Sequence, residues 1–259
     1  MFDSHLHIID PRFPIVANNG YLPPVFTVAD YRERVAELGL PIAGGVVVSG
    51  SFQGLDTSYL LDSLELLGDG FVGVANVADD ISDVALGSLA AAGVRGIRFN
   101  LVRGVGSGSS AADTAAAMLA LGLRAWDVAR VHSELYVDAG DLPQLEPTLA
   151  QLPHTSVDHL GLSDSRDGRA ALLRLVERGT RVKATGFGRL DLDVVGTLRG
   201  IHGVNPLALM FGTDLPSTRA RRPFEAADLD VVTEALGEVA TTAVFDANAR
   251  AFYRMPSAD

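Results

Sequence analysis

Eight short apolar runs, rich in β-branched residues and separated by stretches that carry helix punctuation, constrain this chain more than any other feature. In order they are FDSHLH (2–7), GGVVVSG (44–50), FVGVANV (71–77), GIRFNLV (96–102), HSELYVDA (132–139), TSVDHL (155–160), RVKATG (181–186) and LMFGTDL (209–215). A run such as GGVVV is apolar at every position, as in a parallel strand covered on both faces. Between the runs, Thr27 precedes VADYRERVAELGL with Asp30 three residues on, the spacing of a capping box. Ser82 is placed to cap DVALGSLAAAG, and Gly93 and Gly179 are placed to stop the helices before them. Eight strands alternating with helices predict an α/β fold, a (β/α)8 TIM barrel forming a single domain over residues 1–259. The alternative is a doubly wound open sheet. That fold expects a G-x-G-x-x-G turn after the first run, which is missing here.

Composition narrows the partners. A net charge of −11 disfavours nucleic acid and anionic membranes, which both select basic surfaces. The chain has 0 cysteines, which removes disulfides, thiolate metal sites and a cysteine nucleophile. No apolar stretch approaches the ~20 residues of a membrane span. Met1 leads directly into FDSHLH, without the basic and apolar regions of a signal peptide. The expectation is a cytoplasmic protein, a monomer or small homo-oligomer, whose partner is a small molecule.

A barrel of this kind carries its chemistry at the C-terminal ends of the strands. Polar residues fall late in nearly every run: His5 and His7, Ser49, Asn76, Arg98 and Asn100, Tyr136 and Asp138, Asp158 and His159, Lys183 and Thr185, and Asp214. Side chains two apart on a strand share a face, so His5 and His7 can converge on one point. A pair of hydrogen-bonded core histidines is the bland alternative. Asp214 interrupts an otherwise apolar run, so its carboxylate must be paired, metal-bound or kept for proton transfer. Asp3 and Asp158 are candidates to orient neighbouring histidines. Arginines cluster at the expected mouth of an acidic protein: Arg98, Arg103, Arg189, and then Arg219, Arg221 and Arg222 after the last strand. Guanidinium suits capture of a carboxylate, which points to a small anionic substrate. The last three arginines either join that mouth or form a solvated run. GVGSGSSAAD (104–113) reads as a lid or a plain flexible loop.

D-x-H-x-H on the first strand, D-H-x-G on the sixth and G-T-D on the eighth resemble the amidohydrolase superfamily, in its amidohydrolase-2 branch. Across the chain NNGYLPP, AAGVRGIRFNLV, LYVDAGDLPQLEPTLAQLP and VKATGFGRL resemble the 2-pyrone-4,6-dicarboxylate lactonases, in the same order. That resemblance implies hydrolysis of a small carboxylated lactone. It implies Asp214 as general base and then acid, with His5, His7 and His159 polarising the carbonyl and stabilising the oxyanion. It makes Tyr21, Ser49, Arg98, Arg103, Tyr136 and Arg189 the carboxylate-binding residues. Two departures stand out. Leu162 occupies the place where the lactonases usually carry Arg after D-H-x-G, and GLDTSYLLD lacks an Asn they usually carry.

Metal-dependent members of the superfamily draw a histidine from the fifth strand. Here that strand offers Tyr136 and Asp138, with His132 at its other end, and the fourth offers the cation Arg98. His5, His7, His159 and Asp214 still make a plausible tetrahedral set for a divalent metal such as zinc. The lactonases resembled share that set and work without a bound metal, so no metal is expected to be required. Two readings compete: a zinc-dependent decarboxylase or hydratase of the same branch, and a non-catalytic barrel binding an acidic metabolite.

Overall fold

A computed structural model describes residues 1–102 and 111–256. Arg103 and residues 104–110 of the Gly/Ser-rich segment lie outside the described residues. All eight predicted strands are present: β1 (Asp3–Leu6), β2 (Gly45–Val48), β3 (Phe71–Ala75), β4 (Val94–Asn100), β5 (His132–Tyr136), β6 (Thr155–Val157), β7 (Arg181–Ala184) and β8 (Leu209–Phe211). They pair in parallel in chain order from β1 to β8, which a doubly wound sheet cannot do. The seam between β8 and β1 is bridged by backbone: the Asp214 amide donates to the His5 carbonyl at 2.7 Å, and the His7 amide to the Leu215 carbonyl at 2.8 Å. Asp3 reinforces it by accepting from the Thr213 amide (2.8 Å) and hydroxyl (2.7 Å).

The helices between the strands begin where the residues dictate. Thr27 and Asp30 form the reciprocal capping box of α1 (Val28–Glu37), satisfying donors that the first turn leaves free. Ser82 caps α3 (Asp83–Ala91), which follows α2 (Ser58–Leu67). Gly93 and Gly179 take φ of +99° and +107° at the stops before β4 and β7. The remaining outer helices are α4 (Ala111–Ala129), α5 (Leu142–Leu149), α6 (Arg166–Glu177), α7 (Val194–Val204) and α8 (Ala227–Leu236). Two short pieces follow, α9 (Glu238–Thr242) and α10 (Asn248–Tyr253). Among the described residues no helix is long and apolar enough to cross a membrane.

The barrel is graded from floor to mouth. Phe2, Val46, Val48, Val72, Val74 and Met210 pack with Phe252 and Tyr253 of α10 in one buried apolar cluster. Above that cluster the interior turns ionic, with Glu134, Lys183, Asp158 and His5 all fully buried.

Candidate active site

Four side chains meet at the strand ends. The Nε2 atoms of His5, His7 and His159 lie 3.7, 3.6 and 4.0 Å from Oδ1 of Asp214. His5 lies in β1 and His7 one residue beyond its end, two apart along the run, and both turn Nε2 toward Asp214. Asp214 and His159 reach the same point through unusual backbone: both adopt left-handed φ, +59° and +51°. Non-glycine residues are held in that region mainly where surrounding structure enforces it, and such strain gathers at functional sites. Gly186, in the turn after β7, makes room for the His159 ring; a Cβ there would stand 2.6 Å from His159 Nδ1.

The two oxygens of Asp214 live differently. Oδ2 accepts from Arg189 through Nε (3.0 Å) and Nη2, and Arg189 is fixed in turn on the Thr218 carbonyl at 2.9 Å. Oδ1 is buried and without a hydrogen-bond partner. Burial alone would raise the Asp214 pKa, but the Arg189 guanidinium holds it well below the ordinary carboxylate range. Burial lowers the His159 pKa to about 3 and takes that of His5 well below its usual value.

Each histidine is oriented from behind. His7 Nδ1 donates to the Val48 carbonyl at 2.7 Å, which leaves its Nε2 without a proton in the neutral ring. His5 Nδ1 lies 3.3 Å from Lys183 Nζ and 3.3 Å from Asp158 Oδ1, one donor and one acceptor. Asp158 also receives Arg98 on Oδ2 at 2.9 Å. Burial pushes its pKa up, but His5, Arg98 and Lys183 outweigh that and leave it far below normal. Lys183 is anchored on Glu134 Oε2 at 2.6 Å, and Tyr253 donates to the same oxygen at 3.1 Å.

Not every expected residue faces the mouth. Arg98, Tyr136, His159, Arg189 and His7 line it together, joined by Arg219. Ser49 does not: its hydroxyl is engaged with Tyr59 at 2.7 Å, and only its carbonyl serves the site, accepting from Arg98. Tyr21 sits at the rim beneath Arg219. Arg103 lies outside the described residues. Asp3 orients no imidazole ring; it ties β1 to β8 and to the Tyr31 hydroxyl, and burial raises its pKa to about 6. Asn76 holds the Gly50 and Gly54 carbonyls, a structural duty. Glu134 joins the site without having been expected there, although the sequence signals it as an acid two residues before Tyr136 on the inward face of a buried strand.

The arrangement admits a cation by its donors. His5, His7 and Asp214, and separately His5, Asp158 and His159, each bring ligand atoms within 4.8 Å of one another. Three imidazole nitrogens and one unpaired carboxylate oxygen suit a divalent metal, and the groups behind His5 and His7 are of the kind that orient metal ligands. Charge balance pulls the other way. Asp214, Asp158 and Glu134 already face Arg189, Arg98 and Lys183 one for one, so a divalent ion would add net charge to a buried centre. A larger cavity, about 490 Å³, lies outside the barrel against α2 and α3; Leu55, Leu61, Val77, Ile81 and Leu89 line it, and none of its lining residues is titratable.

Comparison with known proteins places the chain. The amidohydrolase family model matches residues 2–255. A 2-pyrone-4,6-dicarboxylate hydrolase of Comamonas testosteroni is 32% identical over 169 residues, 64% of this chain and 53% of that protein. A 4-sulfomuconolactone hydrolase of Rhizobium radiobacter is 32% identical over 110 residues, 42% of this chain and 36% of that protein. The chain thus spans about half or less of the curated relatives it matches. Among solved structures, a protein of Agrobacterium tumefaciens superposes with TM-score 0.84 at 22% identity, covering 99% of this chain and 96% of that one. A probable 2-pyrone-4,6-dicarboxylic acid hydrolase of Acinetobacter baumannii, solved with citric acid bound, gives TM-score 0.77 at 19% identity over 98% and 99% of the two chains. At such identities these structures support the fold alone.

Proposed function

The chain belongs to the amidohydrolase family, and from that premise we propose that it hydrolyses a small carboxylated lactone, with Asp214 as the proton-transferring residue. The observation that carries this reading is Asp214 Oδ1, buried and unpaired in front of three imidazole nitrogens. Asp158 Oδ1 and Glu134 Oε1 are also buried without a hydrogen-bond partner, but among the described residues only Asp214 Oδ1 has three imidazole nitrogens within 4.0 Å. The names of the two curated relatives, both hydrolases of lactone-type acids, support the substrate class.

In the proposed reaction the lactone carbonyl lies over the histidines, and a water stands at Asp214 Oδ1. Asp214 takes a proton from that water as its oxygen bonds to the carbonyl carbon. His5 donates to the developing oxyanion from Nε2–H, the tautomer present when Lys183 donates to Nδ1. The ring C–O bond then breaks, and the proton on Asp214 passes to the departing oxygen, regenerating the carboxylate. Arg189 on Oδ2 keeps the acid ionised between turnovers. Arg98 and Tyr136 line the mouth where a substrate carboxylate enters.

A divalent cation, if bound, would be held by His5, His7, His159 and Asp214, and would supply Lewis-acid polarisation of the carbonyl. We read the reaction as one that this chain's own groups can run, because the buried charges already balance. A hydrolysis screen over pyrone carboxylates, muconolactones and sugar-acid lactones tests the proposal. Ring opening of at least one carboxylated lactone is expected. Decarboxylation or hydration in place of ring opening would move the chain to the competing zinc-enzyme reading. Tight binding of acids with no turnover would leave the binding-protein reading.

A further inference from the structure

Among the described residues three guanidiniums reach the mouth of the barrel, and two of them are matched. Arg98 is paired with Asp158 at 2.9 Å and Arg189 with Asp214. Arg219, in the turn after β8, has no carboxylate within ion-pair distance among the described residues. Its Nη2 donates to the Asn18 carbonyl at 2.5 Å, and its guanidinium lies 4.1 Å from the centre of the Tyr21 ring. The other arginines of the same run turn outward: Arg221 is exposed near Asp191 (3.7 Å), and Arg222 is paired with Asp228 (2.6 Å). Arg219 alone of the three lines the cavity with His7, Arg98, Tyr136 and Arg189.

The backbone that aims it is strained. Asp214, Ser217 and Arg219 take φ of +59°, +64° and +61°, three non-glycine residues in the left-handed region within six positions. One turn thereby carries both the buried acid and the unmatched cation, of which Arg219 lines the opening, a conformation that the chain retains against its local preference. The Tyr21 ring and the Asn18 carbonyl hold the guanidinium plane while leaving its other N–H groups available.

We propose that Arg219 is a specificity-determining residue that receives a carboxylate of the substrate, with Tyr21 and Asn18 holding it in place. Among the described residues it supplies the uncompensated positive charge of a mouth whose other two guanidiniums are neutralised inside the protein. The proposal rests on the lactonase reading of the site, and its test separates the two. Arg219→Gln and Arg219→Lys are compared with the parent enzyme on the fastest carboxylated lactone of the screen and on its methyl ester. For R219Q the expected result is a KM for the acid raised about tenfold to a hundredfold, the loss of one charge-assisted contact. The change in kcat stays within about threefold, and the loss on the ester is smaller by at least about tenfold. R219K recovers part of the KM. Equal losses on acid and ester would overturn the proposal. Citrate, as a non-reacting carboxylate, provides the second arm by thermal melting. It should raise the Tm of the parent protein and do so much less in R219Q. Failure to raise the parent Tm, or an equal rise in both, overturns the Arg219 assignment. Absence of any lactone turnover together with a citrate shift lost in R219Q overturns the lactonase reading and keeps the anion site.

Discussion

Arg189 binds one oxygen of Asp214 and leaves the other, Oδ1, buried and without a partner. The pairing keeps the acid ionised in a site where burial alone would protonate it. It also fixes the free lone pairs in the direction of the three imidazoles. A single arginine therefore sets both the charge and the aim of the proposed base.

Asp214→Asn tests that relationship directly. The amide keeps an oxygen for Arg189 at nearly the same volume but cannot accept a proton from water. The expected kcat loss is about 10²- to 10⁴-fold, the usual contribution of general acid–base catalysis. A cooperative denaturation curve should persist. A variant with near-parental rate would remove Asp214 from the reaction.

The ionic layer under the site sets a stability prediction. Lys183 and Glu134 are both fully buried and 2.6 Å apart. Lys183→Met leaves Glu134 uncompensated, and loss of one partner of a buried pair costs about 3–5 kcal/mol. The double change Lys183→Met with Glu134→Leu is expected to cost less than the sum of the two single changes, since it removes both charges together. Denaturant melts of the four proteins measure the coupling. Additive losses would show that the pair is not energetically linked.

Stability should fall on acidification from pH 7 to 4. Burial lowers the pKa of His159 to about 3 and of His154 to about 4, and lowers those of His5 and His132 as well. Below the unfolded value of about 6.5 the unfolded chain takes up protons that these folded imidazoles refuse, so stability rises with pH across that window. Asp3 opposes this. Its folded pKa, raised to about 6, lets the native state hold a proton between about pH 4 and 6 that the unfolded chain has released, which favours folding on the acid side. Each group contributes at most about 1.4 kcal/mol per pH unit, and four imidazoles outweigh one carboxyl. Urea melts at half-unit steps check the slope. A flat or inverted profile would mean that the histidines are not held neutral.

The barrel and much of the site were legible in the residues because both follow from local pattern. β-branched runs declare buried strands, and polar residues late in those runs declare the catalytic face. What stayed hidden depends on long-range contacts. Ser49 reads as a site residue until Tyr59, from α2, is seen to occupy its hydroxyl. Arg98 reads as a charge that repels a metal until Asp158, sixty residues away in sequence, neutralises it. The choice among Arg219, Arg221 and Arg222 could not be made from spacing, because left-handed backbone at non-glycine positions decides which one turns inward.

Chelation separates the two roles open to the imidazoles. The donor atoms around Asp214 Oδ1 suit a divalent ion, yet among the described residues three carboxylates already face three cations in the buried centre. Adding two positive charges there is unfavourable until an anionic substrate arrives. Exhaustive chelation is therefore expected to leave lactone turnover within about twofold of the untreated enzyme, a difference of about 0.4 kcal/mol in barrier height. Metal analysis of the same sample shows whether an ion was removed. Turnover that disappears on chelation and returns with stoichiometric zinc would show that the imidazoles serve as ligands first, with the carbonyl polarised by the ion they hold.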